Sequence, residues 1–321
     1  MRKRMPVFLF SVFVVISLLW MAAGCSDSDI SDEEEQDIIE VVTTIHPLGD
    51  IAAELGGDKV AVTYLLPAGA SPHTYEPTVE QARKVDQADL FFYIGAGLDN
   101  WALEMTDAAD EDLIIADISE NVPLIEAADY EHFEDEHENH NHDHDHDHGP
   151  GDPHYWLDPI IVRDSVLPVI HEKYVKLIPD QEAYFDQRYD EYQQELTLLH
   201  EEIQDAVSGF TQHSFLAFHS AWQYFARRYE LKELAVIARF PGQEPSAGRI
   251  AELVELIKEE DIGAIFTEPQ FAPGLADSVA EESGIEVYVV DPLGGEGLEG
   301  RESYLEMMRF NLAVFKEALE N

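Results

Sequence analysis

Short apolar runs rich in β-branched residues alternate with helical patterns twice along this chain, and few folds accommodate that order. Residues 38–45, 60–65, 90–94 and 113–116 read as strands, with helices at 47–55 and 78–87. The pattern returns as strands at 214–218, 234–238, 264–266 and 287–290, separated by helices at 221–229, 246–259 and 273–282. Short strands that are apolar throughout, spaced by helices, predict parallel sheets covered on both faces. The expected fold class is therefore α/β: two lobes, each a mainly parallel sheet flanked by helices.

Between the two series lies 181–207, without glycine or proline. Tyr184, Phe185, Tyr189, Tyr192, Leu196, Leu199, Ile203 and Val207 recur there at three- and four-residue steps as one apolar stripe. At 1.5 Å per residue such a helix is about 40 Å long, enough to run past both lobes as one rigid connection. The expected organisation is an N-terminal α/β lobe at 38–180 carrying a histidine-rich acidic loop at 131–150, the linking helix at 181–207 and a C-terminal α/β lobe at 208–321.

The N-terminus reads as an export signal over 1–24: Arg2, Lys3 and Arg4, then an apolar run, then Ala22, Ala23 and Gly24 before Cys25, the one cysteine in the sequence. Residues 25–37 are acidic and polar and read as a solvated tether. With that cysteine spent on an anchor, the exported protein has no disulfide and rests on its core. The formal net charge is -47, from 19 basic and 66 acidic residues. Such a surface repels nucleic acid and anionic headgroups and attracts cations, so nucleic-acid binding is set aside.

Metal-ligating chemistry is concentrated at several points. In the tract 131–150, His137, His140, His142, His144, His146 and His148 lie among aspartate, asparagine and glutamate. A run this polar cannot bury a core and reads as a loop with weak accessory metal sites. Four other residues sit after predicted strands or in the following loops, where open α/β sheets hold their ligands. They are His73 in GASPHTYEP, His154 in DPHYWLDP, His219 in FHSAWQYFARRYEL and Asp291 in VVDPLG. Three imidazoles and one carboxylate make a four-coordinate set that favours Zn2+ over the harder Mn2+, in a cleft between the lobes. With four protein ligands no position is open for a reacting water, so capture is expected rather than catalysis. His46 is expected to pack beside the cleft or support it.

These segments, together with EPSAGRI and TEPQF and in this order around a long linking helix, resemble the metal-binding solute-binding proteins of ABC transporters, most closely the zinc-specific lipoproteins. The resemblance covers essentially the whole mature chain. It implies two α/β lobes, an interlobe metal site at His73, His154, His219 and Asp291, and delivery to a membrane permease with its ATPase. It also implies lipidation of Cys25, an extracytoplasmic location at the cell membrane, and supporting roles for Glu244 and Glu268. Manganese-type relatives tend to carry glutamate where this chain has His219. The protein is expected to act as a monomer, and release is expected to follow separation of the lobes, drawing Asp291 and His219 away from His73 and His154. A manganese or iron importer of the same fold is the nearest alternative, and a surface adhesin or zinc store is another. A zinc hydrolase is disfavoured, since no HExxH motif or nucleophile elbow is present.

Overall fold

β1 (Ile39–Thr43) pairs in parallel with β2 (Val60–Tyr64) on one side and β3 (Leu90–Tyr93) on the other, and β3 pairs with β4 (Ile114–Asp117). The strand order is β2-β1-β3-β4. The second half repeats it: β5 (Ser214–Ala217) lies between β6 (Lys232–Val236) and β7 (Ala264–Thr267), with β8 (Val287–Val289) beside β7, all parallel. The order β6-β5-β7-β8 matches that of the first sheet. This computed structural model describes residues 38–106, 109–125, 151–238, 245–260 and 262–320. The predicted signal segment, Cys25, the acidic tether and the histidine-rich tract lie outside the described residues, as does Glu244.

Helices connect the strands: α1 (His46–Gly56), α2 (Val79–Asp86), the short α3 (Asn100–Leu103), α4 (Leu167–Leu177), α5 (Glu182–Val207), α6 (Gln223–Arg228), α7 (Ala247–Glu259), α8 (Pro273–Ser283) and α9 (Tyr304–Leu319). Local chemistry sets several starts. Thr78 caps α2 in a reciprocal capping box with Gln81, and the Ser246 and Ser303 side chains accept from backbone N–H groups at the starts of α7 and α9. α8 ends on Gly284 in the left-handed region, at φ 76°. Among the described residues no helix is long and apolar enough to cross a membrane.

The predicted linking helix is α5. It buries Phe185, Tyr192, Leu196, Leu199, Ile203 and Val207, while Tyr184 and Tyr189 lie half-buried along its flank. It packs against α1, α4 and α9. The largest apolar core takes Val41, Leu90 and Phe92 from the first sheet, Phe215, Ala217 and Phe266 from the second, and the α5 stripe between them. The lobes therefore share one core. Separate clusters cover the outer faces, around Val42, Phe91 and Tyr93 in one lobe and Leu216, Ile265 and Val279 in the other.

Two long helices, α4 and α9, were not anticipated from sequence. Proline at the first turn of α4, and the apolar residues of α9 running directly on from the glycine-rich 294–300 segment, obscured their starts. α9 brings Asn311, fully buried, to the end of β8. There Asn311 Oδ1 accepts the Asp291 N–H at 2.7 Å, and its Nδ2 donates to the Asp291 carbonyl at 2.7 Å. Replacing Asn311 with leucine orphans both backbone groups. An unmet buried hydrogen bond costs about 1–3 kcal/mol per group, so Asn311→Leu should lower the urea-unfolding free energy by roughly 2–4 kcal/mol; an unchanged midpoint would contradict this packing.

Candidate metal centre

In both sheets the order reverses next to the first strand, which opens a crevice beyond the strand ends. His219 lies two residues past β5, and Glu268 follows β7 directly, so two adjacent strands deliver an imidazole and a carboxylate side by side. His219 Nδ1 lies 2.9 Å from Glu268 Oε1, and both residues are buried. His154 precedes a single 3-10 turn, Tyr155–Leu157. Its backbone N–H donates to Asp152 Oδ1 at 2.9 Å, and its Nδ1 lies 2.7 Å from the same oxygen. A carboxylate at Nδ1 takes the ring proton and leaves the Nε2 lone pair free for a ligand.

His73 comes from the loop after β2. That loop is tied back by the Trp101 indole N–H to the Pro72 carbonyl at 2.8 Å. His73 Nε2 lies 3.2 Å from His154 Nε2, which lies 3.3 Å from His219 Nε2. The three rings splay rather than stack, with centroids 5.0–5.3 Å apart. Tetrahedral zinc with bonds of 2.0–2.1 Å needs donor nitrogens about 3.3–3.4 Å apart. Among the described residues, these three histidines are the group whose ligand atoms converge closely enough to hold one ion. Around them lies a small cavity of about 10 Å3, walled by Trp156, Phe271, Pro292 and Leu293 and edged by Ser71 and Gln270.

Asp291, expected as the fourth ligand, is not in this group. Its Oδ1 accepts the N–H groups of Leu293 and Gly294, each at 3.0 Å, and its Oδ2 accepts from the Arg301 guanidinium at 2.9 Å. This buried carboxylate carries three donors and stands apart from the three converging imidazoles. Nothing in the sequence flagged Arg301 as its partner. Asp152 was also missed, although an aspartate two residues before a histidine is a legible signal for a side chain that folds back on the ring. Glu268 stands directly behind His219. His46, at the first turn of α1, is 9% exposed and lies edge-on to Tyr64, with ring centroids 5.0 Å apart, in a neighbouring pocket with Leu293 and Gly294.

His154 lies in a segment that joins the two halves of the chain. Tyr224 of α6 donates its hydroxyl to the Asp152 carbonyl at 2.8 Å and accepts the Ile125 N–H at 2.9 Å. Trp156 donates to the Pro292 carbonyl at 2.8 Å, the Tyr304 hydroxyl to the Trp156 carbonyl at 2.8 Å, and Arg228 to Asp158 at 2.8 Å. The Tyr155 hydroxyl donates to the Ile94 carbonyl at 2.7 Å and the Asp152 N–H to the Ile125 carbonyl at 3.0 Å, so the 151–158 segment is bonded to both halves of the chain.

Burial disfavours the charged form of His219, but the Glu268 carboxylate, with Glu233 and Asp152 nearby, outweighs it and raises the pKa. Burial pushes the Glu233 carboxyl up to about 8, despite bonds from Ser220 and the Trp222 N–H. It raises Asp50 and Asp99 to about 6 each.

Two parallel α/β lobes with convergent imidazoles in the crevice between them define a solute-binding protein that holds a metal ion rather than an enzyme. The family described as zinc-uptake complex component A, periplasmic, matches residues 41–318, and the chain belongs to it. The chain is 30% identical over 314 residues to the high-affinity zinc uptake system protein ZnuA of Bacillus subtilis, covering 96% of this chain and 97% of that one. It is 29% identical over 313 residues to the manganese-binding lipoprotein MntA of Halalkalibacterium halodurans, at 96% and 97% coverage. A crystal structure of ZnuA superposes with a TM-score of 0.74 at 26% identity, covering 88% of this chain and 99% of that one. The protein is accordingly an extracytoplasmic metal-binding component of an ABC transporter.

The buried acids fix the sign of a pH dependence. Asp50, Asp99 and Glu233 bind protons more tightly folded than unfolded, and so does His219. Their contributions are present at low pH and are lost as pH rises through the folded values, near 6 for the two aspartates and near 8 for Glu233. His46 and His200, both lowered by burial, oppose this. Metal-free protein should therefore melt at a higher temperature at pH 5.5 than at pH 8; calorimetry showing the reverse order would contradict these assignments.

Proposed function

We propose that the protein captures Zn2+ outside the cytoplasm on His73, His154 and His219 and hands it to a membrane permease driven by an ATPase. The observation that carries this reading is the pair of Nε2 separations, 3.2 and 3.3 Å, which match the spacing around one tetrahedral zinc ion. Imidazole suits zinc, whereas manganese seeks more oxygen donors, and the nearby carboxylates are engaged with His154, His219 and Arg301. Sequence similarity does not choose between the metals, because the zinc and manganese relatives match to nearly the same degree. The donor set favours zinc.

The Nδ1 carboxylates orient two of the rings toward the ion. The metal must displace any proton from His219, so affinity falls as pH drops through the imidazole range. Release follows when the permease separates the lobes and draws the crevice ligands apart. Cys25 anchors the mature chain to the membrane through lipid, and the histidines of 137–148 gather zinc weakly near the site.

Calorimetric titration tests the reading. One tight zinc equivalent should be retained when residues 131–148 are deleted, and manganese should not displace it at equal concentration. His219→Ala should weaken that equivalent by at least a hundredfold. Unchanged affinity in His219→Ala would refute the ligand set, and a preference for manganese would move the protein to the sister specificity.

A further inference from the structure

Residues 292–304 of the second lobe meet the first lobe beside the imidazoles rather than at them. The Tyr64 hydroxyl, at the end of β2, donates to Glu296 Oε2 at 3.0 Å. Gly295 is buried against the loop that follows β2: a methyl group added there would lie 3.1 Å from the Ala68 Cβ, tighter than ordinary contact. Farther along, the Tyr304 N–H donates to Asp50 Oδ2 of α1 at 2.7 Å. Residues 66–69 face residues 293–295 across a small cavity, and Leu293 also walls the cavity around the three histidines. The loop that rests on this turn is the one that carries His73. On the other side of the same turn, the Pro292 carbonyl accepts from Trp156, two residues after His154. One short segment therefore touches the supports of both His73 and His154.

We propose that the 293–296 turn is the seat of the His73 loop, and that the Tyr64–Glu296 hydrogen bond is the latch that holds it there and sets how fast captured metal leaves. The proposal rests on the reading that His73, His154 and His219 take the metal. Tyr64 and Glu296 lie outside that ligand set and are positioning residues. Their bond joins atoms of the two lobes, so it exists only while the lobes are together, and its loss shifts the population toward the open form while leaving the ligands intact. Burial, and then the Glu296 carboxylate, push the Tyr64 hydroxyl up to about 12, so it remains a donor wherever imidazole binds metal. A partly exposed hydrogen bond to a carboxylate alters such an equilibrium about three- to tenfold, enough to tune release and little enough for a permease to overcome. Gly295 is the residue that lets the two backbones come this close.

The test measures zinc loss from the whole protein to a chromophoric chelator, at chelator concentrations where the rate no longer depends on them. Tyr64→Phe, which keeps the ring against His46, and Glu296→Leu should each speed the loss about three- to tenfold, with the rate of zinc association unchanged. The double variant should be no faster than the faster single one, because both remove the same bond. Glu296→Gln keeps an oxygen acceptor and should release zinc as wild type does. Unchanged loss in both single variants would overturn the proposal, even if their metal-free melting temperatures fall, because that is what a merely structural role predicts. So would multiplying effects in the double variant, or a Glu296→Gln variant as fast as Glu296→Leu, which would make the effect one of charge. If the double variant does not fold, the single variants and Glu296→Gln decide the matter. Retention of the tight equivalent in His73→Ala would instead refute the tri-histidine reading itself.

Discussion

The crevice is organised around the meeting of two buried imidazoles, His154 and His219, with the half-buried His73, Nε2 toward Nε2. Bare imidazoles packed 3.2–3.3 Å apart would compete for protons with one another. Asp152 and Glu268 stand at the Nδ1 atoms of His154 and His219, away from the point where the Nε2 atoms meet. The Glu268 carboxylate raises the proton affinity of His219, so under the proposed function ease of capture is exchanged against sensitivity to acid.

The architecture supports that arrangement because the lobes are not independent. One apolar core runs from the inner face of the first sheet, past α5, to the inner face of the second. Hydrogen bonds from Tyr224, Trp156, Tyr304 and Arg228 then tie the 151–158 segment to the second half. Large hinge motion would break both the core and those bonds. The smaller element is the loop bearing His73, whose neighbours Pro72 and Ser71 are held by one indole bond and a turn. Under the proposed function, that loop is where capture and release are decided.

Much of this was legible in the chain itself. The eight strands follow from apolar β-branched runs whose period leaves no alternative to buried parallel sheets, and α5 follows from an uninterrupted stripe. The convergence of His73, His154 and His219 was legible because each follows a strand or a short proline-marked turn. Asp291 stands apart from them for a physical reason: position after a strand says that a carboxylate is near the crevice, not which way its oxygens point. Its direction is set by Arg301, ten residues on, and by Asn311 on a helix whose start is hidden by glycines. Long-range pairing of this kind has no periodicity, so sequence pattern does not carry it. Asp152, two residues from its histidine, is a local pairing and could have been found.

X-ray absorption at the zinc edge, on protein carrying one equivalent of zinc, tests the central claim most directly. Capture by His73, His154 and His219 predicts scattering from three imidazole rings at about 2.0 Å and no sulfur ligand. Fewer than three imidazoles, or a carboxylate in place of one of them, would contradict it.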